Sequence, residues 1–434
     1  MDDILSQAKK VAEQAEVFQA TTQTTPVRFE ANRLKQIQTK ESTTTALRLV
    51  KNGRIGFAQV NGFVKPKELV NMALETCIFG AEARFDFPAN QAYPSVQIFD
   101  PQVDRLAIED MVQIGQQMVD ALIKHTPELV CEASVSKGIT SVHIANSQGS
   151  KAVYQKSFFN LSLEGVLVRN DDMLFVGDSQ SSCHPIRNSE TIVAEVTRQL
   201  ELASVNAHIS TRPMPVIFTP LGVASTLLSP LIAAFNGKTV LEGASPLKDK
   251  IGKQVFDKSF SLWDDAILPY QVSSHPCDDE GVPGQCTPLA ESGVISSFYY
   301  DLQTAALAGK HSTGNGTRAG GLPTPSPSSL VVNQGNVSYE DMVKDIKEGL
   351  VIDLLMGAEQ GNILNGDFSG NVLLGYKVER GKVTGRVKNT MVSGNAFDVL
   401  KKLGGIGKDA RWVGGFLYTP HLYCLELSVA TKEG

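Results

Sequence analysis

At 434 residues, with 42% hydrophobic and 20% charged side chains, the chain has an ordinary globular composition and exceeds the length that one hydrophobic core usually supports. Its formal charge of -6, from 40 basic and 46 acidic residues with no long run of one sign, leaves no footprint for gripping a phosphate backbone. Direct nucleic-acid binding is therefore not expected.

Six cysteines, at 77, 131, 183, 277, 286 and 424, form no CxxC pair and suit reduced thiols better than a disulfide framework. The N-terminal MDDILSQAKKVAEQAEVF is acidic where a signal peptide is basic. The most apolar stretch, Val223 to Phe235, is interrupted by Ser and Pro and falls short of the ~20 residues of a membrane-spanning helix. A cytoplasmic protein with no membrane partner is the expectation.

In chain order, Ile4, Leu5, Ala8, Val11, Ala12 and Ala15 recur at helical spacing behind Asp2 and Asp3, which favour a helix N-terminus. From Glu16 to Val60 the pattern becomes strand-like, and Asn52-Gly53 predicts a tight hairpin joining TTTALRLV to RIGFAQV. A helix is predicted from Pro66 to Phe79, stopped by Gly80. The next segment, GAEARFDFPANQAYPSVQIFDP, carries three prolines and little periodicity and reads as an interdomain linker. A second helix–strands–helix unit follows, with helices near 104–124 and 190–202 and alternating strands between them. After TRPMP at 211–215 the chain reads as mostly β, favouring a large antiparallel sheet or sandwich, with helices near 225–235 and 339–349.

These patterns predict an α+β fold: two small α/β units, residues 1–95 and 96–211, then a larger β-rich domain, residues 212–434, with an antiparallel sheet. Open edges on such a sheet favour pairing into a dimer.

P-loop, HExxH and GxSxG signatures are all missing. His275, Cys277, Asp278, Asp279, Glu280 and Cys286 crowd potential metal ligands together, and His275, Cys277 and Cys286 would suit zinc. Yet Asp-Asp-Glu-Gly before Pro-Gly also reads as a turn, and the ligands lack paired spacing. Three Gly-rich stretches are expected to form a surface that a peptide or partner strand approaches closely, because a Cβ there would block main-chain pairing. Their candidate residues are His311, Gly314 and Asn315; Gly366 and Asp367; and Gly414.

Six segments together resemble the TldD/PmbA family, described historically as modulators of DNA gyrase. They are NSQG at 146–149, DDEGVPGQCTPLAESGVISSFYYD at 278–301, STGNGTR at 312–318, EGL at 348–350, GDFSG at 366–370 and VSGNAFDVLKKL at 392–403. In the family's TldD branch an early helix of the third domain carries HExxxH, two His for the metal and a Glu as general base. That chemistry needs neutral imidazoles to leave the metal acidic and a carboxylate to take the proton from its water.

Here the matching helix reads LLSPLIAAFNG, placing Ser229 and Ala234 at the two His positions and Pro230 at the Glu, and no His or Glu occurs between Pro215 and Val240. Cys424, in the apolar HLYCLELSV, is not carried over as a ligand. The resemblance is thus to the PmbA/TldE branch, which lacks the motif. It implies a non-catalytic subunit with no cofactor of its own, handling unfolded peptide beside a zinc-holding TldD-type partner or a second copy of itself. The alternative is a homodimeric peptidase using His275, Cys277 and Cys286.

Overall fold

The fold is α+β in a computed structural model that describes residues 1–170 and 172–432. After the short helix α1 (Asp2–Ala8) come strands β1 (Gln14–Glu30), β2 (Arg33–Ile37), β3 (Lys40–Lys51) and β4 (Arg54–Asn61), then helix α2 (Pro66–Cys77). Asn52 and Gly53 both hold positive φ, 51° and 70°, the geometry that makes a two-residue turn follow the strand twist. Thr44–Lys51 accordingly pair with Arg54–Asn61, the hairpin the sequence predicts.

Helices α3 (Pro101–Arg105) and α4 (Ile108–His125) precede strands β5 (Val130–Asn146), β6 (Lys151–Arg169) and β7 (Asp172–Ser182) and helix α5 (Glu190–Leu202). The two predicted α/β units do not keep separate sheets. β1 pairs with β5 from Glu16 opposite Asn146 to Phe29 opposite Ala133. One antiparallel sheet therefore runs β4-β3-β1-β5-β6-β7, with β2 on the end of β1. α1 and α2 cover one part of it through Ile4, Leu69 and Ala73, and α4 and α5 cover another through Met118, Leu122 and Val196.

The expected linker is also packed rather than loose. It lacks regular structure but buries Phe85, Phe87 and Ile98, and Tyr93 Oη donates to Gly281 O at 3.1 Å. Its prolines prevent ladder pairing, while its aromatic rings still supply buried apolar area.

From Arg212 onward, strand β8 (Arg212–Phe218) leads into helices α6 (Pro220–Thr226), α7 (Leu228–Phe235) and α8 (Gly237–Leu241). Short strands β9 (Leu262–Asp265), β10 (Cys286–Glu291), β11 (Val294–Ile295), β12 (Gly316–Thr317), β13 (Thr324–Pro325) and β14 (Leu330–Val332) follow, with helix α9 (Leu302–Leu307) among them. The end of the chain holds helix α10 (Tyr339–Asp345), strands β15 (Glu348–Met356), β16 (Asp367–Glu379), β17 (Lys382–Arg386) and β18 (Thr390–Asn395), helix α11 (Ala396–Lys401), and strands β19 (Leu403–Val413) and β20 (Leu417–Thr431).

These strands build an 11-stranded, largely antiparallel sheet, as predicted, but five of them close a circuit, β8-β15-β16-β18-β20 and back to β8, so that part of it is a small barrel rather than a sandwich. β8 and β15 run parallel, because the helical excursion between them lets the chain return in the same direction. Closure satisfies those strand edges within the chain, so edge protection of the barrel does not itself call for a second subunit. A cluster including Phe218, Phe235, Phe260 and Phe368 packs with the barrel and α6 and α7. Among the described residues no helix is long and apolar enough to cross a membrane.

Candidate functional site

Strand alternation positions the site. On β5 and β6 the side chains of Thr140 and Val142, and of Tyr154, Lys156, Phe158 and Asn160, share one face because residues two apart point the same way. Against that face lie Val272–Asp279, Ser326–Ser328 and Gly414 of the C-terminal part, enclosing a cavity of about 600 Å³. The Lys156 ammonium donates to Ser274 O at 2.8 Å. Burial lowers its pKa to about 8, partly opposed by Cys183 and Asp279.

Beside the cavity is a buried ion cluster. Glu16 on β1 and Arg48 on β3 are direct cross-strand partners, with Arg48 Nη2 3.2 Å from Glu16 Oε1. Arg48 Nη1 donates to Glu280 Oε1 at 2.5 Å, and Arg318 also pairs with Glu16. All four side chains are at most 2% exposed. Burial opposes the charge on Arg48, but Glu16 and Glu280 outweigh it and raise its pKa, whereas burial leaves that of Arg318 lowered. Aromatic faces complete the enclosure: Arg48 lies 4.7 Å from the Phe85 ring centre and 4.8 Å from that of Phe87. Arg318 sits over Phe18 and Phe57.

The DDEG segment is the turn the sequence suggests, yet its carboxylates point inward. Asp278 Oδ1 accepts from Glu280 N at 3.0 Å and Val282 N at 2.9 Å, and its Oδ2 accepts from Gly316 N at 2.8 Å. Asp279 Oδ2 accepts from Arg318 N at 2.7 Å. Burial raises both acids, Asp279 to about 6, while these backbone donors hold the ionised form against it.

The sequence candidates divide. His275, Cys277 and Gly414 line the cavity, and His275 Nε2 faces Gly314 O at a long 3.4 Å. Burial, with Lys156 adding to it, lowers the His275 pKa to about 4, so its ring is neutral. Gly314 holds φ +75°, and an added Cβ would lie 2.5 Å from Pro283 O. Asn315 is buried and donates to Asp264 at 2.5 Å, tying the loop to β9. His311 is exposed and does not line the cavity.

Gly366 and Asp367 are also outside it. Gly366, at φ +82°, is a left-handed turn residue against Phe397, and exposed Asp367 accepts from Asn395 Nδ2 at 2.9 Å. The three Gly-rich stretches therefore do not all converge on this cavity.

Nor do the residues present fit a zinc ion. Among the described residues no three His, Cys, Asp or Glu side chains group as a ligand set. His275, Cys277 and Cys286 are thus not gathered around one point. Burial, with Asp278 and Asp279 nearby, pushes the Cys277 thiol far up, against the thiolate that zinc requires. On α7, Pro230 and Ala234 are buried, Ser229 is partly so, and Ala234 O accepts from Ser245 Oγ at 2.6 Å.

Sequence reading missed Glu16, Arg48, Lys156 and Arg318. The available signal was an Arg inside the otherwise apolar ALRLV, where a strand buried on both faces must find that charge a partner.

Comparison with known proteins decides the family. Residues 211–431 match the PmbA/TldA metallopeptidase C-terminal domain, and residues 15–77 match domain 1 of the same metallopeptidases. The chain belongs to the PmbA/TldD metallopeptidase family. An uncharacterized protein of Methanocaldococcus jannaschii is 26% identical, with 93% of each chain covered. A metalloprotease of Methanothermobacter thermautotrophicus is 24% identical, covering 96% of this chain and 92% of the relative. TldE from Thermococcus kodakarensis shares the fold, with a TM-score of 0.89 over 99% of both chains at 22% identity.

The family segments also meet in space. GDFSG pairs with VSGN between β16 and β18, and DDEG is bonded to the GTR end of STGNGTR.

Proposed function

We infer that this PmbA/TldD family member is a non-catalytic, TldE-like subunit that handles unfolded peptide for a TldD-type metallopeptidase. The observation that carries the reading is α7. At the three positions where the active branch supplies two imidazoles and a carboxylate, this helix offers a half-buried Ser229, a buried Pro230 and Ala234 within the apolar core. None of the three can ligate a metal in the way those imidazoles do or take a proton from metal-bound water. Peptide handling fits a junction cavity of about 600 Å³ and a sheet whose terminal strands, β4 and β7, offer main-chain donors and acceptors. Zinc belongs to the partner in this reading, and the pair is a dimer of unlike chains.

The test is metal content and turnover. The purified chain should carry no stoichiometric zinc and cleave no unfolded peptide, while cleavage appears on mixing with a TldD-type subunit. Chelator-sensitive turnover by the chain alone, lost in His275→Ala or Cys277→Ala, would establish the homodimeric peptidase instead.

A further inference from the structure

Lys156 is the only Lys or Arg among the residues lining the junction cavity, and it has no carboxylate within ion-pairing distance among the described residues. An ammonium carries three donors, and the Ser274 carbonyl accounts for one. The acids across the cavity do not answer it. Asp278 is occupied by the backbone amides of Glu280, Val282 and Gly316, and Asp279 Oδ2 accepts from Arg318 N rather than from the ammonium. Glu16 and Glu280 are committed to Arg48 and Arg318. A partly buried cation that no carboxylate contacts, with only the longer-range pull of Asp279 upon it, and that faces open volume is complementary to an anion brought in from outside.

The walls narrow the class of anion. Val142, Phe158, Val272 and Phe416 supply apolar surface beside the ammonium, and Ser181, Thr317 and Ser326 supply hydroxyls. A carboxylate joined to an apolar side chain and an amide satisfies both kinds of wall, whereas a bare inorganic anion uses neither. The volume lies within the ~300–1,000 Å³ typical of ligand sites, enough for the end of a chain but not for a folded domain.

We propose that this cavity receives the C-terminal carboxylate of an unfolded peptide at Lys156, with the last side chain against Val142, Phe158 and Phe416. The inference rests on the peptide-handling reading and adds polarity to it: the peptide enters with its C-terminus held in this subunit. Lys156 is a binding residue here and takes no part in bond cleavage.

The experiment is fluorescence anisotropy of a labelled, unstructured peptide ending in Leu, prepared as free acid and as C-terminal amide, with the full-length chain. The free acid should bind roughly 10- to 100-fold more tightly than the amide, the worth of a charge-assisted hydrogen bond. Lys156→Gln should bring the acid down to the amide's affinity and leave the amide unchanged, and N-acetyl-leucine should compete where acetate does not. Equal wild-type binding of acid and amide would overturn the carboxylate site while leaving peptide handling standing. Binding of neither would overturn both. Displacement by acetate as readily as by N-acetyl-leucine would assign the cavity to small acids and overturn the peptide assignment. The wild-type acid and amide comparison decides even if the Gln variant folds poorly.

Discussion

The two parts of this molecule where chemistry could be expected are built from opposite materials. Around α7, the helix that we read as matching the metal helix of the family's catalytic branch, the surroundings are aromatic and aliphatic: Phe218, Leu231, Phe235 and Phe298 belong to one buried cluster. At the junction of sheet and C-terminal part, Glu16, Arg48, Glu280 and Arg318 are buried together, with Lys156, Asp278 and Asp279 at the adjoining cavity. An apolar region tolerates truncation in proportion to the volume lost. A buried ion cluster fails when one charge is left over, because desolvation is then no longer offset.

The largest effect should come from breaking that charge balance. Arg48→Met strands Glu280, while Glu16 keeps Arg318, and should cost ~3–5 kcal/mol of stability by denaturant unfolding. Adding Glu280→Gln to it, which leaves Glu16 balanced by Arg318, should recover much of that loss. A loss below ~1 kcal/mol for the single change would mean that water reaches the junction.

Next is α7. Ala234→His forces an imidazole into a site with no exposed surface and should cost ~2–4 kcal/mol through over-packing and burial of a polar ring. Recovery of that stability on adding zinc would erase the contrast, since it would make α7 a latent metal helix.

A smaller contrast separates two adjacent glycines. Gly415 has φ +66°, and a Cβ there would stand 2.4 Å from Val272 and 2.9 Å from Ser181, whereas Gly414 has φ +60° and open space. Gly414→Ala should cost ~1 kcal/mol for left-handed backbone alone, and Gly415→Ala ~2 kcal/mol or more, since it also moves a cavity wall. Equal melting temperatures for the two variants would show that the cavity wall yields.

Much of the local structure was legible in the sequence. α2, α5 and the Asn52-Gly53 hairpin come from capping, period and turn chemistry carried within a dozen or so residues. What was not legible is long-range. Pairing of β1 with β5 joins residues such as Glu16 and Asn146, and closure of the barrel joins Phe218 to Leu422. No local period encodes either. The site followed the same rule: His275 and Cys277 stood out as a local cluster, while the partners of Glu280 lie on β3 and that of Arg318 on β1. The reading of α7 as a helix without metal ligands comes from motif resemblance, which compares positions rather than contacts.

A pH-dependent effect of similar size to the glycine contrast probes the lone ammonium. Burial lowers Lys156 to about 8 from its ordinary 10.5, against the pull of Cys183 and Asp279, with neutral His275 also nearby. The unfolded chain keeps this proton to about pH 10.5, while the folded chain releases it near pH 8. Holding the charge therefore costs the folded state below pH 8, and the cost fades as pH rises toward 10.5 because only the unfolded state remains protonated there. Lys156→Gln has no such proton. Its stability relative to wild type should be greatest at pH 7 and should shrink by ~1–2 kcal/mol by pH 10, a figure kept low because the side chain is only partly buried. The measurement is paired denaturant unfolding of the two proteins across that range, so titrations common to both cancel. A difference that stays constant with pH would mean the ammonium keeps its ordinary proton affinity in the cavity and is already satisfied there. The unmet charge on which a carboxylate ligand depends would then not exist.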